Sequence, residues 1–160
     1  MIGLFYVMVL VFFGYVIAMT LIHGVQKSVS ESYYRLPRKL QWLFTIITWG
    51  YAIPAIIIGL EVTGNGFVFL SGAGICFVGA APAFHKIGME RTVHTVGAIT
   101  GIGAMLSFLI AMGWWVLVVL FAALCGLFYL IDKKNIVWWV EISAMLVLIA
   151  FYTAKLNIFG

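Results

Sequence analysis

The stretch IGLFYVMVLVFFGYVIAMTLI at residues 2–22 holds 21 residues and no charged side chain. An α-helix needs about 20 mostly apolar residues to cross the hydrocarbon core of a bilayer. The apolar run is continuous rather than alternating, so it predicts a spanning helix and not a strand of a membrane barrel. It lacks a basic lead and a small-residue cleavage pattern, so we expect a retained span rather than a cleaved signal peptide.

The composition of the whole chain points the same way. Of its 160 residues, 65% are hydrophobic and 9% are charged, and the mean hydropathy is +1.18. Soluble domains are about half apolar and roughly a quarter charged, so soluble and disordered classes are excluded. The net charge of +4 is spread over the connections between apolar segments, so we expect no nucleic-acid partner.

Apolar segments of this kind occur six times, at residues 2–22, 41–60, 67–84, 93–112, 114–131 and 136–154. Backbone groups cannot stay unpaired in lipid, so each segment is expected to be helical. The sequence therefore predicts an all-α fold, a polytopic six-helix bundle. We expect residues 1–160 to form one transmembrane domain, with the lipid bilayer as its partner.

The basic residues divide unevenly between the two ends of such a bundle. Eight of nine fall in the connections after the first, third and fifth segments, and Lys155 falls at the opposite end. The eight are Lys27, Arg35, Arg38, Lys39, Lys86, Arg91, Lys133 and Lys134. By the positive-inside rule we expect a multi-pass protein with these connections in the cytoplasm and both termini outside, in a bacterial inner membrane.

The first loop, residues 23–40, carries half of that basic set. Lys27, Arg35, Arg38 and Lys39 lie beside apolar and aromatic residues. Each basic charge near an anionic leaflet is worth about 1 kcal/mol. We therefore expect these four residues to form a lipid-headgroup surface.

Two local patterns concern helix packing. Gly97 and Gly101 have GxxxG spacing, which lets helices approach closely. They can pack within the bundle, or against a second copy or another membrane protein. Pro54 lies in the middle of the second segment, where it removes a backbone hydrogen bond and predicts a helix kink.

Few ionisable residues lie within or beside the apolar segments, and such residues are default candidates for function. Glu141 lies about one turn into the last segment, and His94 lies near the start of the fourth. His85, Glu90 and Arg91 are expected in the adjoining turn. Asp132 is expected to open the last cytoplasmic loop. We predict that these six residues meet in a vestibule facing the cytoplasm, with Glu141 and His94 as a polar pair and Arg91 as their countercharge.

This set is compatible with proton relay, with binding of a cation or polar headgroup, or with a metal that activates water. His85 and His94 have no recognised metal-ligand spacing, so we predict no metal and no cofactor. A structural alternative pairs Glu141 with Arg91 or Lys134 at the interface.

The sequence resembles an uncharacterised family of small bacterial and phage-encoded membrane proteins. The resemblance rests on SVSESYY at residues 28–34, QWLFT at 41–45, FVGAAP at 77–82, and Val93 with His94. It covers most of the chain and implies no activity, substrate or catalytic residue. It does imply that the first and third loops form one shared surface.

We therefore expect a protein that binds or passes a small solute, ion or lipid headgroup without covalent chemistry. Two alternatives remain open. One is a membrane-embedded enzyme that acts on lipid and uses His85 in the same vestibule. The other is a regulatory or assembly subunit that binds a membrane protein through its small-residue faces.

Overall fold

The computed structural model describes residues 1–85 and 88–158, and over these residues the chain is helical. The helices are α1 (Ile2–His23), α2 (Ser32–Arg35), α3 (Trp42–Thr63), α4 (Gly66–Ala80), α5 (Met89–Ala111), α6 (Trp115–Ile131) and α7 (Ile136–Lys155). The all-α class is confirmed, and each apolar segment of the sequence becomes one long helix. The short α2 lies in the first loop and was not predicted.

Four helical stretches within the described residues are long and apolar enough to cross a membrane: Ile2–His23, Arg38–Thr63, Met89–Ala111 and Lys133–Lys155. The other two apolar helices are shorter, with 15 residues in α4 and 17 in α6. At 1.5 Å per residue these two reach roughly 22 and 26 Å, against a hydrocarbon core of about 30 Å. That the chain crosses the membrane six times therefore stays a prediction.

The third segment is shorter than its apolar run suggests. We predicted a span over residues 67–84, but α4 ends at Ala80. Proline disfavours the helical conformation of the residue before it, and Ala81, which precedes Pro82, has left the helix at φ −121° and ψ 60°. The following helix begins at Met89, so Glu90 and Arg91 lie in its first turn rather than in a loop.

Close helix contacts at glycine hold α4 against α5. A Cβ atom added to Gly74 would lie 2.5 Å from the backbone nitrogen of Gly101 and from the carbonyl oxygen of Gly97. Both α5 glycines are buried. The GxxxG face therefore packs within the chain, which is the intramolecular alternative.

Further contacts join the remaining helices. Helix α1 packs on α3, α3 on α4, and α6 on α7. The Tyr152 hydroxyl of α7 donates to the Ala55 carbonyl of α3 at 2.8 Å. Pro54 lies buried inside α3, which runs unbroken from Trp42 to Thr63.

Candidate functional site

A cavity of about 60 Å³ lies inside the bundle. Its walls come from α1, α3, α4, α5, α7 and the first loop, and they are mostly carbon. Polar groups reach it at Glu141, Tyr51, Thr48, Ser71 and Ser30. A water molecule needs roughly 10–15 Å³ of such space, so the cavity accommodates about four water-sized groups.

Glu141 projects from the second turn of α7, is half-buried, and forms part of the cavity wall. Its Oε2 accepts a hydrogen bond from the backbone N–H of Val29, at 2.5 Å. A carboxylate at this depth is costly unless it is hydrogen-bonded or paired. The described residues provide one hydrogen bond to it and no ion pair, so neither Arg91 nor Lys134 is its partner.

The first loop is fixed to the start of α7 by a second bond. The backbone N–H of Trp138 donates to the Lys27 carbonyl at 3.1 Å. Trp138 is the third residue of α7, and N–H groups in the first turn of a helix have no partner within the helix. The Lys27 carbonyl therefore caps α7 one turn before Glu141.

A short hydrogen-bond chain positions Val29 within the loop. The Ser32 hydroxyl donates to the Val29 carbonyl at 2.5 Å, and Ser32 Oγ lies 2.6 Å from the Tyr15 hydroxyl of α1. Because the single Ser32 proton goes to Val29, Tyr15 is the donor to Ser32. Val29 is thus held on both sides, by its carbonyl and by its N–H.

Tyr51 contributes an unpaired polar group. Its side chain is fully buried and lines the cavity, and its hydroxyl has no hydrogen-bond partner among the described residues. Leaving a buried hydroxyl unpaired costs about 1–3 kcal/mol. Thr48 and Ser71 differ from Tyr51, since their hydroxyls donate to the carbonyls of Phe44 and Gly101.

His94 does not reach this cavity. Its Nδ1 lies 3.0 Å from the carbonyl oxygen of Ala81, and its ring stacks on Phe84 at 4.4 Å between centroids. A carbonyl only accepts, so Nδ1 carries the proton and donates. Ala81 is the C-cap of α4, so His94 satisfies a carbonyl at the end of that helix. The predicted pair of Glu141 with His94 is not formed.

The first and third loops do share a surface, as the resemblance implied. His85 Nε2 lies 3.0 Å from Glu31 Oε2, and the His85 backbone N–H donates to the Tyr34 hydroxyl at 2.7 Å. The rings of Tyr34 and His85 are stacked, with centroids 4.1 Å apart. Desolvation raises the pKa of the Tyr34 hydroxyl. His85 therefore contacts the first loop at Glu31 and Tyr34, and it does not line the cavity.

The other predicted residues lie on the surface. Glu90 and Arg91 are exposed on the first turn of α5. The basic residues of the first loop are also exposed: Lys27, Arg35, Arg38 and Lys39. Lys86 lies outside the described residues.

Sequence reasoning found Glu141 but missed Val29, Ser32, Tyr15 and Tyr51. One pattern was available for the cavity wall, since Glu141 and Leu148 are seven residues apart on α7 and both line it. The spacing of His94, Gly97 and Gly101 places all three on one helix face, and that face packs on α4.

Within residues 1–85 and 88–158 no group of three or more His, Cys, Asp or Glu side chains could hold a metal ion. Comparison of the chain with protein-family models, curated proteins and solved structures finds no match.

Proposed function

We propose that this chain is a multi-pass membrane protein that binds a small cation at Glu141 and passes it beneath the first loop. The observation that carries the proposal is the position of the Glu141 carboxylate, on the wall of a mostly apolar cavity with a single hydrogen bond from Val29. Carboxylates within membrane-spanning segments are rare, and those that face an internal cavity mark ion and proton pathways.

Charge balance favours a cation over an anion or a neutral solute. The described residues place no Lys, Arg or His side chain on the cavity wall. An ionised Glu141 would leave the cavity with an uncompensated negative charge, which in a medium of low dielectric constant strongly favours a bound cation or a proton. Tyr51, whose hydroxyl has no hydrogen-bond partner among the described residues, lines the same cavity.

The first loop supplies the access route. Val29 and Ser30 both line the cavity, and both belong to the first loop. A cation that reaches Glu141 competes with the Val29 N–H for the carboxylate. Binding and opening are then coupled, because the loop is released when its bond to Glu141 is lost.

The membrane arrangement is part of the proposal. We propose six crossings in a bacterial inner membrane, with the first loop in the cytoplasm and both termini outside. The support is the division of basic residues, eight to one between the two ends. The exposed cluster of the first loop (Lys27, Arg35, Arg38 and Lys39) would then rest on the anionic inner leaflet.

Charge displacement in reconstituted vesicles tests the function. Proteoliposomes on a solid-supported membrane would receive concentration jumps of sodium, potassium, ammonium and methylammonium chloride. We expect a transient current for at least one cation, its loss in Glu141→Gln, and its retention in Glu61→Gln, whose carboxylate is exposed. Absence of current for every cation, or an unchanged current in Glu141→Gln, would contradict the proposal.

A further inference from the structure

The cavity around Glu141 is lined by far more carbon than oxygen. Aromatic and aliphatic side chains such as Phe12, Phe44, Met105 and Leu148 form most of its wall. Alkali cations bind where several oxygens together replace the hydration shell. Two of the available hydroxyls, Thr48 and Ser71, already donate to backbone carbonyls. This wall therefore favours a ligand that needs few coordinating oxygens and has an apolar part that can contact the carbon of the wall.

Aromatic rings near the carboxylate suit an organic cation. The rings of Phe12 and Tyr51 lie 5.0 Å apart, are tilted by 51°, and both line the cavity. Ammonium groups are attracted to the faces of aromatic rings within about 6 Å. The Glu141 carboxylate lies on the same wall and can accept an ammonium N–H.

The size of the space limits the ligand. A volume of about 60 Å³ takes roughly four water-sized groups. That corresponds to an ammonium nitrogen with about three carbon atoms. Bulkier quaternary ions do not fit without rearrangement of the helices.

We infer that the cation bound at Glu141 is a small primary alkylammonium ion, from methylammonium to propylammonium in size. This inference rests on the proposed function and gives its substrate class. The ammonium group binds the Glu141 carboxylate, and the alkyl chain contacts the apolar wall. Each methylene buried there should raise the affinity about fourfold.

Thermal unfolding of the purified full chain in detergent tests the substrate class. The midpoint would be measured with sodium, methylammonium, ethylammonium, propylammonium, pentylammonium and tetraethylammonium chlorides at equal ionic strength. A ligand that binds the folded state raises the midpoint with its concentration. We expect the rise to grow from methyl to propyl, to fall for pentyl, and to be absent for sodium and tetraethylammonium.

Two cavity variants and one control variant make the result specific. Glu141→Gln should lose the alkylammonium response, and Glu61→Gln should keep it. The larger side chain in Ala98→Leu fills part of the cavity and leaves Glu141 in place. This variant should therefore lose more of the propylammonium response than of the methylammonium response. Ala98→Leu keeps the test decisive if Glu141→Gln does not fold.

The possible failures separate the two proposals. A larger response to sodium than to any alkylammonium ion would overturn the substrate class and leave cation binding at Glu141 intact. An alkylammonium response that persists in Glu141→Gln and is unchanged by Ala98→Leu would overturn the inference, because the ligand would then bind elsewhere. No response to any cation, together with no vesicle current, would overturn both proposals.

Discussion

The carboxylate of Glu141 and the backbone N–H of Val29 lie 2.5 Å apart, although 112 positions separate the two residues in the chain. This bond joins the last helix to the first loop at the wall of the internal cavity. Among the described residues Glu141 is the one charged side chain on that wall, and its hydrogen bond joins the first loop to α7. In the proposed function, a cation that binds the carboxylate competes with this hydrogen bond and so acts on the first loop.

The first prediction concerns the release of the first loop from Glu141. Ser30 is buried and lines the cavity, so a cysteine there should react slowly with a water-soluble maleimide. In a chain with Cys76→Ala and Cys125→Ala, we expect Ser30→Cys to react several-fold faster when Glu141 is also changed to Ala. The reason is that Val29 then loses its acceptor.

Arg35→Cys serves as the matched control because that position is already exposed. Its reaction rate should not change with Glu141→Ala. An equal increase in reaction rate at both positions would indicate general unfolding rather than release of the first loop. An unchanged rate at Ser30→Cys would show that the bond to Glu141 does not hold the loop.

The second prediction concerns the support of Val29. Ser32→Ala removes a donor from the Val29 carbonyl and the acceptor of Tyr15. Leaving buried polar groups unpaired should cost about 1–3 kcal/mol in the free energy of unfolding. Tyr15→Phe should cost less, because Ser32 keeps its bond to Val29. The double variant should lose less than the sum of the two, which denaturant unfolding in mixed micelles would measure. Strict additivity would show that the two hydroxyls do not act together.

The third prediction concerns the contact between α4 and α5. Gly97→Ala places a Cβ atom 2.7 Å from the Gly74 carbonyl oxygen, so one helix must move. We expect destabilisation by roughly 1–3 kcal/mol. Gly103→Ala lies on the same helix with nothing within 4 Å of the added atom. That control should be neutral, or more stable by up to about 1 kcal/mol, from helix propensity. Equal unfolding midpoints for the two variants would contradict the close contact.

Much of the fold can be predicted from the sequence because apolar length determines where helices lie in a bilayer protein. All six apolar segments become helices, and the error at residues 81–84 has a local cause in Pro82. Helix boundaries set by a proline are local information. The first loop is different, because its path over Glu141 depends on how distant helices pack.

The candidate site shows the same division. Glu141 is recognisable from the sequence, since a lone carboxylate in an apolar helix is rare. Its partner is a backbone N–H, and every residue except proline has one, so no sequence pattern marks Val29. His94 was grouped with Glu141 because both were predicted at similar depth. Depth alone does not specify which helix face a side chain occupies, and His94 faces α4.

The fourth prediction concerns pH and the hairpin of α6 and α7. Asp132 accepts hydrogen bonds from the Trp139 indole and the Asn135 amide, both at 3.0 Å, and these bonds lower the pKa of its carboxyl group. The folded pKa lies below the unfolded one of about 3.9, so the stabilisation is present above that pH. It is lost as the pH falls through the lower folded value.

Thermal midpoints between pH 6 and pH 3 would check this sign. Asp132→Asn should show a smaller fall on acidification than the natural chain, and it should be less stable near neutral pH. Glu61→Gln is the control for removal of an exposed carboxylate. A natural chain and an Asp132→Asn variant with parallel acid profiles would contradict the role of these hydrogen bonds.

Infrared difference spectroscopy on the reconstituted protein tests the central claim most directly, because it observes the carboxylate itself. Addition of propylammonium chloride should shift a carboxylate band in the natural chain and in Glu61→Gln, and the shift should be absent in Glu141→Gln. A spectrum that does not respond to the ligand, or a response that persists in Glu141→Gln, would contradict cation binding at Glu141.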